Sequence, residues 1–255
     1  MRKHHAPLNW PRRNPRHHRF AMPNKVWEYR LRPVEFMLLS YLCYHCSSGR
    51  SDEAVSVEAI SEAVHLTVTS VKKYLAGLLG KGLVADGWSL TPALQITNSE
   101  KFFTLPNEVF LLKLPPSAFV VYAYLLLIED RRTHTCHPSY NTIAAATRIS
   151  KNTAMKSIST LLETGLITVE SSNYFDKRGM KWKGNNLYTI LPVRSAVDAF
   201  HQRQLRQLEL DTERRRVHRR QEEYDRRHPR AALCASTVAQ AAPDLSQLPE
   251  PLCAP

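Results

Sequence analysis

At 255 residues the chain has room for two small domains plus tails, and its hydrophobic content of 43% is ordinary for a folded protein. The formal charge of +12 is not ordinary and points to a polyanionic partner, of which nucleic acid is the commonest. No apolar run approaches a membrane span, no basic helix with a bulky apolar face suits a membrane surface, and the basic start Met1-Arg2-Lys3-His4-His5 lacks the apolar stretch of a secretion signal.

The charge is unevenly placed. Residues 1–20 carry six Lys/Arg and no acid, 21–100 seven bases against eight acids, and 101–194 twelve against six. Residues 195–230 hold ten Arg against seven acids. The five cysteines, Cys43, Cys46, Cys136, Cys234 and Cys253, are odd in number and follow no disulfide spacing. That usage fits a reducing cytoplasm, where the expected protein is nucleoid- or plasmid-associated.

In chain order, 1–19 reads as a basic arm. Its stretch Arg12-Arg13-Asn14-Pro15-Arg16-His17-His18-Arg19 suits either a minor groove or a solvated, disordered tail. From Phe20 the chain begins to repeat: residues 20–84, displaced by 83, lie on 103–167 without a gap, and seventeen of the sixty-five pairs are identical. A repeat of this length is one fold used twice. The copies are expected as domains at 20–95 and 103–193.

Each copy opens on a Pro-Asn pair, and then a proline sets a helix start at Pro33 and at Pro116. Phe36, Leu39, Tyr41 and Leu42, and in turn Phe119, Tyr122, Tyr124 and Leu125, make that helix apolar almost all round, as in a helix buried between neighbours. A polar loop leads to two more helices. In copy two these are 138–147 and 150–162, with Ser139 and Ser150 as N-caps and Ile149 plugging the turn between them. Ala154, Ile158, Leu161 and Leu162 form the inward stripe of the later helix. Copy one repeats the plan with Ser56, Ile60, Ala63, Leu66, Thr67, Val71, Leu75, Leu78 and Leu79. Gly82 and Gly165 end the third helices. Copy one then turns at Asp86-Gly87 and returns through Trp88-Ser89-Leu90 as a short hairpin. Copy two goes out along Thr168-Val169-Glu170, tips over at 176–184, and comes back through Leu187-Tyr188-Thr189-Ile190. The fold class is therefore mainly α with small β-hairpins (α+β): tandem winged helix-turn-helix domains, a C-terminal charged helix and disordered tails.

The string Pro138-Ser139-x-x-Thr142-Ile143-Ala144, then Ile149-Ser150-x-x-Thr153, then Leu161-Leu162-Glu163-Thr164-Gly165-Leu166-Ile167, resembles the winged helix-turn-helix family of plasmid, phage and conjugative-element proteins of Gram-positive bacteria. It is similar to the DNA-binding parts of plasmid replication initiators and phage replisome organisers, and more loosely to small repressors. The resemblance covers 118–191 well and 35–91 more loosely, and it does not extend to the tails. It implies a third helix that presents its N-terminal half to the major groove and a wing that reaches backbone or minor groove.

On helix 150–162 the residues off the inward stripe are Lys151, Asn152, Thr153, Lys156, Ser157 and Thr160. Asn152 suits adenine, Lys151 and Lys156 suit phosphates, and Ser150, Thr153 and Ser157 add hydroxyl contacts. The wing tip supplies Lys177, Arg178, Lys181, Trp182 and Lys183. The matching helix of copy one offers Thr69, Ser70, Lys72 and Lys73 with little net charge around them, so it either binds DNA or serves dimerisation and docking. Residues 195–228 read as an Arg/Glu-rich helix, in which Leu210, Val217 and Tyr224 recur at seven. It is a charged single helix or one strand of a coiled coil. The Ala/Pro-rich stretch 229–255 is expected to be disordered.

Catalytic and metal patterns are weak. Cys43-Tyr44-His45-Cys46 has a metal-like spacing but no second pair, His134, Cys136 and His137 lack a fourth ligand, and Ser70-Val71-Lys72-Lys73 has no partner motif. There is no phosphate-binding glycine loop and no His-apolar-His pair. The expectation is a non-enzyme without cofactor, metal or small-molecule substrate. It would bind double-stranded DNA in replication or transcription of a mobile element, with a second copy or a replication protein as a further partner. An adaptor that binds proteins through its winged helices and an RNA binder are the alternatives.

Overall fold

The computed structural model describes residues 18–47, 55–94, 101–175 and 181–228. The arm up to residue 17, the wing-tip residues Lys177 and Arg178, and the tail from 229 lie outside the described residues.

The fold begins with a strand that the sequence reading missed. β1 (Arg19–Pro23) pairs antiparallel with β2 (Phe102–Pro106), Arg19 lying opposite Pro106 and Pro23 opposite Phe102. The two strands are the same segment of the repeat, and the middle residue Ala21 pairs with its own counterpart, Thr104. A strand that pairs antiparallel with its copy about its own midpoint is related to it by a two-fold rotation.

The helices obey the same rotation. α1 (Pro33–Ser47) packs against α4 (Pro116–Ile128), its counterpart. Phe36 meets its equivalent Phe119 at 6.4 Å between ring centroids. The flanking rings come in matched pairs. Trp27 stands edge-on to Tyr124 at 5.7 Å, and their equivalents Phe110 and Tyr41 do the same at 5.4 Å. Trp27 lies 4.8 Å from Phe36 and 6.2 Å from Phe103, while Phe110 lies 5.4 Å from Phe119 and 6.0 Å from Phe20. Each such pair contributes roughly 0.5–1.5 kcal/mol beyond area burial. This explains why α1 and α4 are apolar nearly all round: each is covered by its own copy on one side and by the other copy on the opposite side. The copies share one continuous core and belong to one compact unit that ends at Phe200.

Polar contacts follow the rotation too. The Asn24 amide donates to the Lys101 carbonyl and the Asn107 amide to the His18 carbonyl, both at 2.9 Å. Arg19, expected in the free arm, is held by the strand pair, its guanidinium donating to the Thr104 hydroxyl and carbonyl at 2.8 Å each.

Each copy continues with two helices joined by a tight turn. α2 (Val57–Val64) and α3 (Val68–Gly80) are capped by Ser56 and Thr67, and α5 (Tyr140–Thr147) and α6 (Lys151–Thr164) by Ser139 and Ser150. In each case the side-chain oxygen accepts an amide that the first turn would leave without a partner. Between the helices His65 and Arg148 take left-handed φ values of 54° and 56°, and Leu66 and Ile149 pack half-buried against the core behind them. The inward stripe of α6 runs through Ala154, Ser157, Ile158 and Leu161. Two expected stripe members are corrected: Leu79 and its equivalent Leu162 are 41% and 49% exposed. They sit one position beyond Leu78 and Leu161, on the flank that the narrow contact with α1 or α4 does not cover.

After α6 comes a three-stranded antiparallel sheet in the order β3 (Thr135–Cys136), β5 (Lys181–Ile190), β4 (Ile167–Phe175). The two-residue β3 lies in what reads as a polar loop. The hairpin in copy one is short: a single bridge joins Val84 to Leu90 around the turn Asp86–Trp88. Pro92 follows almost at once, and a proline cannot donate to a ladder, so the hairpin cannot lengthen. α7 (Val193–Arg227) buries Ala196 and Val197 in the core. From His201 the chain forms a separate unit. There Leu210, Val217 and Tyr224 are 50–55% exposed, and pairs such as Arg227–Glu223 at 2.5 Å link successive turns.

Candidate nucleic-acid interface

Capping by Ser150 decides what α6 can present. The Ser150 hydroxyl accepts the Thr153 amide at 3.1 Å, which fixes the first turn and leaves Lys151 and Asn152 exposed at its rim. One turn on, Lys156 is also exposed. Thr153 is half-buried with its hydroxyl 2.8 Å from that of Ser150, so both hydroxyls are engaged within the cap. Ser157 is corrected. It is 2% exposed and faces the core three residues after Ala154, where it cannot reach a nucleic acid.

The outward stripe of α6 is therefore Asn152, Met155, Lys156 and Ser159, the spacing that places side chains on one helical face. Sequence reasoning found Asn152 and Lys156 but passed over Met155 and Ser159. Asn152 offers a bidentate amide, Met155 (44% exposed) an apolar surface of the kind that meets thymine methyls, and Lys156 a mobile cation.

Beside this stripe lies a polar cleft lined by Ser139, Tyr140, Asn141, Lys151, Asn185 and Asn186. It brings together the amino-terminal ends of α5 and α6 and the inner end of the β4–β5 hairpin. Asn186 donates to the Tyr140 hydroxyl at 2.9 Å, and Asn185 donates to the His137 carbonyl at 3.3 Å, which pins β5 to the loop before α5. Unsatisfied amides at helix starts, together with a lysine, make a cleft of this chemistry suited to a backbone phosphate. Along the β4–β5 hairpin, Lys181, Trp182 and Lys183 pair in the ladder with Phe175, Tyr174 and Asn173, beyond a bulge between Ser171 and Asn173.

The equivalent face of α3 carries Thr69, Lys72, Lys73 and Ala76, all exposed. Ser70 is half-buried and accepts a hydrogen bond from the Thr67 hydroxyl at 2.9 Å, again within the cap. Lys73 lies 5.9 Å from the centre of the Tyr74 ring. Copy one also buries a charge that copy two lacks. Glu35 is 5% exposed, bonds Lys81 at 2.5 Å, and accepts the Arg32 amide at 2.9 Å. Burial would raise the Glu35 carboxyl, but the Lys81 and Arg32 hydrogen bonds and charges outweigh it and hold the group below the usual carboxylate range.

Cys43 and Cys136 are core residues, and Cys46 is half-buried. Burial first, and Cys46 second, push the Cys43 thiol up to about 12, and burial with the Glu129 charge does the same for Cys136. Thiols of that kind stay protonated and are poor ligands or nucleophiles. Among the described residues no group of three or more His, Cys, Asp or Glu is placed to hold a metal ion, and no helix is long and apolar enough to cross a membrane.

Helix, left-handed turn and capped second helix make 112–167 a helix-turn-helix domain. The family model of that description matches these residues. Among solved structures the chain is similar to a possible transcriptional regulator from Methanosarcina mazei Go1, with 16% identity over 46% of this chain and 93% of that one, at a TM-score of 0.30. Comparison with curated proteins finds no match.

Proposed function

We propose that the protein is a sequence-specific binder of double-stranded DNA with two winged helix-turn-helix heads, acting by occupancy in the cytoplasm. Its setting would be a mobile element, where it serves as a replication initiator or accessory factor, or as a transcription regulator. The observation that carries the reading is the exposed face of α6, with Asn152, Met155 and Lys156 beside a polar cleft at two helix starts, inside the stretch that matches the helix-turn-helix family. Asn152 would read bases, Lys151 and the cleft would hold a phosphate, and the basic wing would add sequence-independent affinity. Nothing in this mechanism needs catalysis.

The test is a competition binding assay on a duplex selected from a random pool. Lys151→Ala with Asn152→Ala should remove most of the preference for the selected duplex while sparing non-specific binding, and Lys156→Ala should reduce the salt slope by about one. Unchanged preference in the double variant would rule out α6 as the reader. Salt-insensitive, weak retention on DNA with firm capture of a helicase or polymerase subunit would replace this reading with that of an adaptor.

A further inference from the structure

The two-fold that relates the copies has a consequence for the DNA site, and it rests on the DNA-binding reading above. The rotation is not confined to the strands and the central rings. It reaches the turns that set the reading helices. The Arg148 guanidinium, in the turn before α6, donates to the Arg30 carbonyl of copy one. The equivalent residue of copy one, His65, lies near enough to Lys113, the equivalent of Arg30, to feel its charge. Burial, and then the Lys113 charge, hold the His65 imidazole below its ordinary value. Arg30 and Lys113 share left-handed φ values of 47° and 52°. Each third helix packs on the first helix of its own copy, α3 on α1 and α6 on α4, and α1 and α4 are exchanged by the rotation, so α3 and α6 are exchanged by it too.

The outer surface carries a matching signal. Most of the identities between the copies are buried residues, caps or turn residues. Those exposed in both copies are Lys73 with Lys156 and Leu79 with Leu162, and all four lie on the third helices. An exposed lysine at the same place on both heads points to one shared contact made twice.

Two surfaces related by a two-fold meet a continuous duplex in opposite orientations. This is why symmetric dimers bind palindromes. Here the two halves are one polypeptide, so engaging the second element is an intramolecular event. We propose that a single chain reads two related DNA elements in inverted order, α6 at the dominant one and α3 at the weaker one, its repeats standing where the two subunits of a dimer would otherwise stand.

The full chain would be offered four duplexes of equal length: the selected site with both elements, the same site with the weaker element reversed into direct order, the dominant element alone, and a scramble. The expected order is tightest binding to the inverted site, a loss of about tenfold for both the direct and the single-element duplexes, and the scramble weakest. The mass of the complex should correspond to one 29.2 kDa chain per inverted duplex. Lys73→Ala should weaken the inverted site several-fold and leave the single-element duplex unchanged, whereas Lys156→Ala should weaken both. Equal binding to direct and inverted order, full affinity for one element, or two chains per inverted duplex would overturn the proposal while leaving specific DNA binding intact. Absence of any preference among the four duplexes would overturn both.

Discussion

Copy one and copy two are the same frame with different faces. At the centre they are interchangeable: Phe20 and Phe103, Val26 and Val109, Leu31 and Leu114, Phe36 and Phe119, Leu42 and Leu125 are identical and buried in both. Outward they part. The face of α6 carries Asn152, Met155 and Lys156 next to a polar cleft and a hairpin of nine- and ten-residue strands. The face of α3 carries Thr69, Lys72 and Lys73 next to a single bridge. Copy one also commits Lys81, at the carboxyl end of α3, to the buried Glu35, where copy two has Thr164 and Ala118. The shared requirement is the internal two-fold, and the copies part both at this buried pair and on their outer faces.

The largest effect should come from breaking the shared centre. Phe36→Ala and Phe119→Ala should each destabilise the whole protein by about 3–5 kcal/mol, because each ring is fully enclosed between both copies. Chemical denaturation followed by tryptophan fluorescence and by near-ultraviolet circular dichroism, which report on the packed rings rather than on the exposed helix beyond His201, should give coincident single transitions in wild type and variants. Two separated transitions would mean that the copies fold as independent bodies. Next in size is the difference between the heads. Asn152→Ala should cost about 1–3 kcal/mol of discrimination at one base pair, whereas Thr69→Ala, its equivalent, should change binding less than about threefold, since a lone hydroxyl offers no bidentate contact. Equal losses in a titration on the selected duplex would show that the heads are matched readers.

How much of this was legible in the sequence depended on whether the cause was local. The caps Ser56, Thr67, Ser139 and Ser150, the stop at Gly165 and the stripe of Ala154, Ile158 and Leu161 lie within a few residues of what they control, and they place the helices well. Gly165, at φ 77°, sits where the chain must leave the helix in a left-handed turn. The strand pair did not show, because Arg19–Pro23 and Phe102–Pro106 are short, carry no turn between them, and find each other across the whole of copy one. Ser157 was misplaced because a small polar residue at the edge of a stripe gives no hydropathy signal, and its burial is set by the packing of α6 on α4. Met155 and Ser159 were passed over because the search followed charge and amides rather than the complete outward face. The Asp86-Gly87 turn signal was real, and Pro92 limits what it closes to a single bridge.

A smaller effect tests the charge that only copy one buries. Glu35→Gln should cost about 1–2 kcal/mol at neutral pH, a value below that of a fully buried pair because Lys81 remains about a third exposed. The Glu35 carboxyl is held below its ordinary value of 4.5 in the folded protein. Its contribution is therefore complete above that value and disappears as pH falls through the folded-state pKa. The gap between wild type and Glu35→Gln should close on acidification below about pH 4. A gap that widens there would mean that the carboxyl is raised rather than lowered.

The smallest effect comes from Gly77, which faces the same carboxylate. Glycine inside a helix normally costs about 1 kcal/mol relative to alanine, so Gly77→Ala within α3 should stabilise. A Cβ at this position would, however, lie 3.1 Å from the Glu35 Oε1 atom, closer than ordinary van der Waals contact. That oxygen can retreat only by turning the carboxylate, whose other oxygen, Oε2, is tied to both Lys81 and the Arg32 amide. In the wild-type background the gain from helix propensity should be cancelled by the contact. In the Glu35→Ala background the contact is gone, and Gly77→Ala should recover most of the 1 kcal/mol expected for the helix. Copy two has Thr160 in the same place, opposite Ala118, which is the arrangement without the conflict. A double-mutant cycle showing no coupling between positions 35 and 77 would mean that the ion pair adjusts freely, and that the glycine in copy one owes nothing to the buried charge.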